Sequence, residues 1–309
     1  MPGTPAQLYL YCVSKTFCMK QNKSFFLILG IGALGLLPAC KSSDQKSEAV
    51  LKFNLQNGKT YEYKMAMDMD NEAQGQKIKS VMSFDYDIAV VGDSAGVKTL
   101  KATYKHIDMD MTAPGGKMSF NSDKATDTAN LQANPMAVMG KVFGAMVGKS
   151  FTLKVDPEGK VTSVSGLSEM ADAMLNSIDL PEEAKPQVRQ TFDAQFNEDN
   201  MKQTFSQAFN IFPNKPVKVG DKWDKQLNMS GMVGTGADAK TTYTVKDISN
   251  EKVTLDALSN IEAAGNKIQQ SGTMEVARST GLVTDAKLNQ ILNGQVSGKT
   301  TIKITGKEM

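Results

Sequence analysis

Between Thr60 and Val90 apolar and polar residues alternate with a period of two, and this constrains the fold more than any other feature. Tyr61, Tyr63, Met65, Met67 and Met69 share one phase, while Thr60, Glu62, Lys64, Asp68 and Asp70 share the other. A second run sets Ile78, Met82, Phe84, Tyr86, Ile88 and Val90 against Lys79, Ser83, Asp85 and Asp87. Successive side chains of a strand point to opposite faces, so each run reads as a long antiparallel strand with one dry face and one wet face. Gly92-Asp93-Ser94-Ala95-Gly96 is a turn cluster, and Val97 to Met111 returns as a third strand.

The same pattern recurs along the chain with one interruption. A short strand is expected near Lys117 to Asn121, and Phe151 to Val155 and Lys160 to Val164 form a hairpin about Asp156-Pro157-Glu158-Gly159. Six further strands are expected near 221–232, 240–247, 252–261, 267–277, 282–292 and 299–305, most of them separated by Asn, Gly or Ser turns. Between Gly166 and Phe212 the period becomes helical. Leu167, Met170, Met174 and Ile178 make one stripe, Val188, Phe192 and Phe196 a second, and Met201, Phe205 and Phe209 a third. Five of the 13 Phe lie in this block, so it needs a large apolar surface to cover. Short matches relate the two β regions: Gly58-Lys59-Thr60-Tyr61 to Gly220-Asp221-Lys222-Trp223, and Asp87-Ile88 with Val97 to Leu100 to Asp247-Ile248 with Val253 to Leu255. The expected fold is α+β and β-dominated: one large, curved, half-barrel-like antiparallel sheet, pseudo-duplicated, with the helical block on its concave face. It occupies residues 50–309 as one domain, with β halves at 50–165 and 217–309 and the helical insert at 166–216.

The N-terminal region speaks about location. From Met19, Lys20 and Lys23 precede an uncharged, apolar-rich run from Ser24 to Ala39 that ends at Cys40. That run is too short for the roughly 20 residues of a spanning helix and has the layout of a cleaved signal peptide over 19–39. Residues 1–18 carry no targeting signal, and Met19 is the better start. Leu37-Pro38-Ala39-Cys40 resembles the bacterial lipobox, with Pro38 departing from its commonest form. Cys12, Cys18 and Cys40 are all the cysteines, so cleavage before Cys40 leaves only the thiol that lipidation needs. Cleavage also removes Lys15, Lys20 and Lys23 and no acidic residue, leaving 32 basic against 33 acidic residues, a net charge of about −1. Anchoring therefore falls to acyl chains on Cys40, with residues 40–49 as a polar tether. Lys41 is not the Asp that, by resemblance to well-studied Gram-negative lipoproteins, retains a protein at the inner membrane, so the outer membrane is expected.

Chemistry-bearing motifs are scarce. A near balance of 35 basic and 33 acidic residues gives no electrostatic footprint for nucleic acid. His106 is the single histidine and no Gly-x-Ser-x-Gly elbow accompanies it, so neither a catalytic triad nor a zinc site is expected. Gly144 to Ser150 is one residue short of a phosphate loop. Met65, Met67, Met69, Met109 and Met111 invite a Cu(I) reading, and Asp68, Asp70, Asp108 and Asp110 a Ca²⁺ reading. Period-two geometry assigns these Met inward as filler and these Asp outward to water, and no metal or cofactor is expected.

The lipobox, the Gly58-Lys59-Thr60-Tyr61 opening, Gly148 to Val161 and Phe212 to Trp223 together resemble a family of uncharacterised lipoproteins of Gram-negative bacteria. The curved sheet under helices is similar in architecture to periplasmic lipoprotein carriers and receptors. That resemblance implies a non-catalytic protein that binds a lipid or other apolar ligand between sheet and helices, with Met65, Met67, Phe84, Tyr86, Phe192, Phe196, Phe205 and Phe209 lining the space. The alternative is a structural or protein-interaction lipoprotein in which the same residues pack solid. Cys40→Ser is expected to abolish metabolic palmitate labelling; labelling that persists in the variant would overturn the assignment.

Overall fold

The structure is a computed structural model describing residues 48–73, 75–114, 116–124, 141, 143–177, 182–183, 185–228, 238–263, 266–294 and 296–309. Cys40, the signal peptide, nearly all of the tether and Ile178 lie outside the described residues. The strands are β1 (Ala49–Val50), β2 (Thr60–Ala73), β3 (Gln76–Ser94), β4 (Val97–Ala113), β5 (Gly116–Asn121), β6 (Ser150–Val155) and β7 (Val161–Ser165). Three helices follow: α1 (Leu167–Ser177), α2 (Lys185–Gln195) and α3 (Glu198–Phe209). The chain then forms β8 (Pro216–Val217), β9 (Lys222–Asn228), β10 (Asp238–Ile248), β11 (Lys252–Ala263), β12 (Asn266–Ala277), β13 (Val283–Asn293) and β14 (Val296–Glu308).

Twelve strands form one antiparallel sheet in the order β7-β6-β4-β3-β2-β14-β13-β12-β11-β10-β9, with β5 beside β4. The last strand lies against the first long one, Ile304 opposite Met65 and Ile302 opposite Met67, which makes the two β halves one sheet. β1 and β8 form a separate pair. The outer face carries cross-strand ion pairs such as Lys64 with Asp85 (2.8 Å), Lys105 with Asp87 (3.1 Å) and Lys307 with Glu62 (2.9 Å). Each exposed pair is worth at most about 1 kcal/mol. Their larger effect is on register, because a slip of one residue would turn these charges inward.

Inward alternation survives along the longest strands because bulges reset its phase. On β4 the buried series Leu100, Ala102, Tyr104 changes parity to Ile107, Met109. Lys105 is the extra residue, since Asp85 pairs with His106 and Tyr86 with Tyr104. Bulges also display the internal duplication. The Gly58 and Val90 amides donate to Val90 O and Lys59 O (both 2.9 Å), and those of Gly220 and Val245 donate to Val245 O and Asp221 O (2.9 and 3.0 Å). Val90 pairs with Leu100 just before a bulge, as Val245 pairs with Leu255. The expected match of Asp87-Ile88 to Asp247-Ile248 is thereby corrected: the shared register aligns Val90 with Val245, so Gly92 takes the place of Asp247.

The sheet closes on a helix. Laid flat, eleven strands about 4.8 Å apart would hold β7 and β9 about 48 Å from each other. α3, about 18 Å long, touches both, so the sheet must curl. On one side the free amides of Val161 and Val164 donate to Ser206 Oγ (3.1 Å) and Glu198 Oε1 (3.3 Å). On the other, Lys225 Nζ donates to Asn210 Oδ1 (2.8 Å) and Trp223 Nε1 to Ile211 O (2.8 Å). Asn197 caps the helix start by accepting from the Asn200 amide (2.9 Å), and Glu198 and Asp199 lie in the first turn, where the helix dipole favours negative charge. The inner face of α3 is then driven into the sheet: Phe205 lies 5.5 Å from Phe151 and 6.0 Å from Tyr86, and Phe209 lies 5.1 Å from Phe53 and 6.4 Å from Tyr63. The extended segment Leu51, Phe53, Leu55 joins this core. Phe205→Ala is expected to cost about 3 to 5 kcal/mol in urea unfolding followed by Trp223 emission, the value for a well-packed ring; a loss under about 1 kcal/mol would show that the core does not depend on α3.

Candidate functional site

The strand register arranges the inner face into rows. Val245, Leu255, Met274, Ala286, Ile304, Met65, Phe84 and Ile107 form one row from β10 to β4. The next contains Leu288, Ile302, Met67, Met82 and Met109. A third runs Thr241, Ser259, Gln270, Gln290, Thr300, Met69 and Ser80. Each row is buried toward β10 and β11 and half-buried across its middle strands: Leu255 and Met274 are buried, whereas Ile304, Met65 and Phe84 are half-exposed. A partly open area therefore lies on β14, β2 and β3 and reaches Gln270 of β12 and Gln290 of β13 in the third row, whereas Met274, Ala286 and Leu288 of those two strands are buried.

Sulfur and aliphatic carbon dominate this area. Met65, Met67, Met82, Phe84, Ile302 and Ile304 are all half-buried, and no inward position of the open area carries a charged side chain. The charges of the same strands are on the outer face, where they pair. Methionine's flexible, polarisable side chain suits it to irregular apolar contacts. Beyond the Met rows the amides of Gln290 and Gln270 meet across the strands, Nε2 donating to Oε1 at 2.7 Å, and Thr300 continues the line. At the opposite end lies Tyr63, one inward position from Met65, its hydroxyl buried and without a hydrogen-bond partner among the described residues. Burial pushes the Tyr63 phenol up. Tyr104 is pushed up to about 12 for the same reason, and it receives the hydrogen bond of Tyr86, itself raised by burial.

The sequence-predicted lining residues divide into three groups. Met65, Met67 and Phe84 come together on the open area, with Met65 directly opposite Phe84. Tyr86, Phe205 and Phe209 are buried in ring contact under α3. Phe192 and Phe196 stack on each other at 4.7 Å, at the end of α2 and just beyond it. Gln270, Gln290 and Thr300 were not anticipated. Their signal is a polar residue in the inward phase of an otherwise apolar strand, and only the register shows that three such residues adjoin.

Two other features have chemical content. His106 Nδ1 is 3.1 Å from both Ser122 Oγ and Asp123 Oδ2. A Ser-His-Asp relay needs its partners on opposite ring nitrogens, and here both meet the same one. A shallow groove of about 570 Å³ lies at Glu48, Ala49, Val50, Pro216, Asn250, Arg278 and Ser279. Its guanidinium is engaged by backbone, donating to Ser249 O (2.6 Å) and Glu48 O (3.2 Å). Among the described residues no three His, Cys, Asp or Glu side chains converge on a metal position, and no helix is long and apolar enough to cross a membrane.

A family model described as a family of unknown function, DUF6263, matches residues 95–305, more than half of the chain. The chain belongs to that family. No curated protein matches. Among solved structures, one of lipovitellin, concerned with its lipid–protein interactions, is similar over 82% of this chain at 10% identity with a TM-score of 0.45, and this chain covers 25% of that one. A Bacteroides fragilis protein with a YmcC-like fold is similar over 82% of this chain and 97% of its own, at 10% identity and a TM-score of 0.24. A DUF1329 family protein from Desulfovibrio piger is similar over 79% and 83%, at 10% identity and 0.16. Likenesses this distant carry no weight for the chemistry of this chain.

The contrast between the open area and the packed core is measurable. Met67→Ala is expected to cost about 2 kcal/mol or less, below the value for a fully buried side chain, because Met67 is only partly covered; a loss in the range expected for Phe205→Ala would place Met67 in a filled core.

Proposed function

We propose that this DUF6263 member is a non-catalytic, lipid-anchored protein of the cell envelope that holds an apolar ligand on the open half of its inner sheet face. One observation carries the ligand reading: partly exposed Met, Phe and Ile side chains adjoin across β14, β2 and β3 with no charge among them. Soluble proteins seldom leave a contiguous apolar face open unless something occupies it. The anchor rests on the lipobox at Cys40 and the absence of any later cysteine, and Lys41 favours the outer membrane. The ligand surface lies beyond the helices, because Phe205 and Phe209 fill the space beneath α3 with their own rings. That solid packing favours a second reading, an envelope protein whose inner face meets a protein partner.

Titration with N-phenyl-1-naphthylamine separates the two. Saturable binding near one probe per chain is expected, lost in Met67→Asp and weakened in Phe84→Trp with circular dichroism unchanged. Unsaturable binding by the parent protein would reject the ligand reading and leave the partner reading.

A further inference from the structure

The charge pattern of the open face narrows the chemistry of what it can hold. We infer that the occupant is a neutral amphiphile, an acyl chain along the Met rows with an uncharged ester, amide or hydroxyl group hydrogen-bonded by Gln270, Gln290 and Thr300. This rests on the ligand reading and specifies its substrate class.

Gln270 and Gln290 lie at inward positions, half-buried, within strands whose other inward residues include Met274, Leu288 and Leu292. Burying an amide costs free energy unless its groups are hydrogen-bonded, so an aliphatic side chain would pack better at either position. Solubility does not require them, because the outer face of the same strands already carries charge. Their mutual hydrogen bond uses one N–H and one carbonyl. Whichever way the two amides are oriented, the pair keeps a carbonyl and several N–H groups for a further partner. Thr300, directly opposite Gln290, adds a hydroxyl that can donate or accept.

These groups can satisfy a carbonyl or a hydroxyl but cannot neutralise a carboxylate or a phosphate. A desolvated anion needs a cation or a set of charge-assisted hydrogen bonds. No lysine or arginine occupies an inward position of the open area. From Tyr63 to Met69 the strand runs about 20 Å, the scale of a long acyl chain. The end opposite the amides is also uncharged: the unpartnered Tyr63 hydroxyl is a neutral group in the buried core.

Displacement of N-phenyl-1-naphthylamine from the purified, delipidated protein at pH 8 by 1-monooleoylglycerol and by oleate tests the inference with one chain and two head groups. Monooleoylglycerol should displace the probe at roughly tenfold lower concentration, about 1.4 kcal/mol. In Gln270→Leu/Gln290→Leu the preference should fall below about threefold while the probe still saturates. Gln270→Lys, which supplies a cation, should reverse the order toward oleate. Equal or better displacement by oleate in the parent, or an order unmoved in Gln270→Lys, would overturn the inference while the ligand reading stands. Failure of the parent to bind the probe saturably would overturn both.

Discussion

Curling of the sheet around α3 is the constraint on which the rest of the structure depends. An open sheet of this width has two edges whose unpaired backbone groups must be satisfied or shielded. Here Ser206 and Glu198 of α3 accept from the β7 edge amides, and the residues that follow the helix, Asn210 and Ile211, accept from the Lys225 and Trp223 side chains of β9. A twelve-residue element so holds a sheet of twelve strands in a curl, and its two phenylalanines fill the interior at that level. Glu198 gains in turn: its carboxyl is held below the usual range by Lys202 and by the Val164 amide, which binds it to the strand edge that it covers.

Closing the sheet with a helix leaves the interior uneven. A strand at the seam would continue each row around the barrel, whereas α3 fills only part of the interior. Under α3 the rings of Phe53, Tyr63, Tyr86, Tyr104 and Phe151 each contact another ring. Along β14, β2 and β3, at the level of Met65 and Met67, the same rows continue with side chains of the same apolar kind but only partial cover. The open face is thus a geometric consequence of the closure, and the composition of its side chains tells what can occupy it. Methionine adapts to irregular apolar surface, and two glutamines with a threonine interrupt it with a polar line, beyond which Ile268 and Leu292 follow.

The tyrosines link the two halves. Tyr86 and Tyr104 satisfy each other by a hydrogen bond, and burial keeps both neutral. Tyr63, beside them in the register, has no such partner. An unsatisfied buried hydroxyl costs about 1 to 3 kcal/mol, so Tyr63 is held in this row by its ring and not by its polar atom. The packed region ends there, and Met65 begins the open one.

Much of the architecture was legible in the sequence, because strand and helix periods are local. Alternation from Tyr61 to Val90, the switch at Gly166, and the three stripes that run through Met174, Phe192 and Phe209 reflect side-chain direction, which a strand or helix sets by itself. The Gly58 and Gly220 openings likewise showed a duplication whose register the bulges then corrected. The lipobox-like string at Cys40, on which the proposed anchor rests, is contiguous and needs no fold to be read. What alternation cannot express is which inward residues are covered, since burial depends on elements distant in the chain. Met65 and Tyr61 share a phase and a strand, yet one is half-exposed and the other fully buried, because only Tyr61 lies where the helix and the Leu51 to Leu55 segment meet the sheet. Gln270 and Gln290 are twenty residues apart, and Thr300 is ten further on. Only the hydrogen-bonded register of β12, β13 and β14 brings them into one line, so the polar line across the apolar face was decided by the tertiary structure alone.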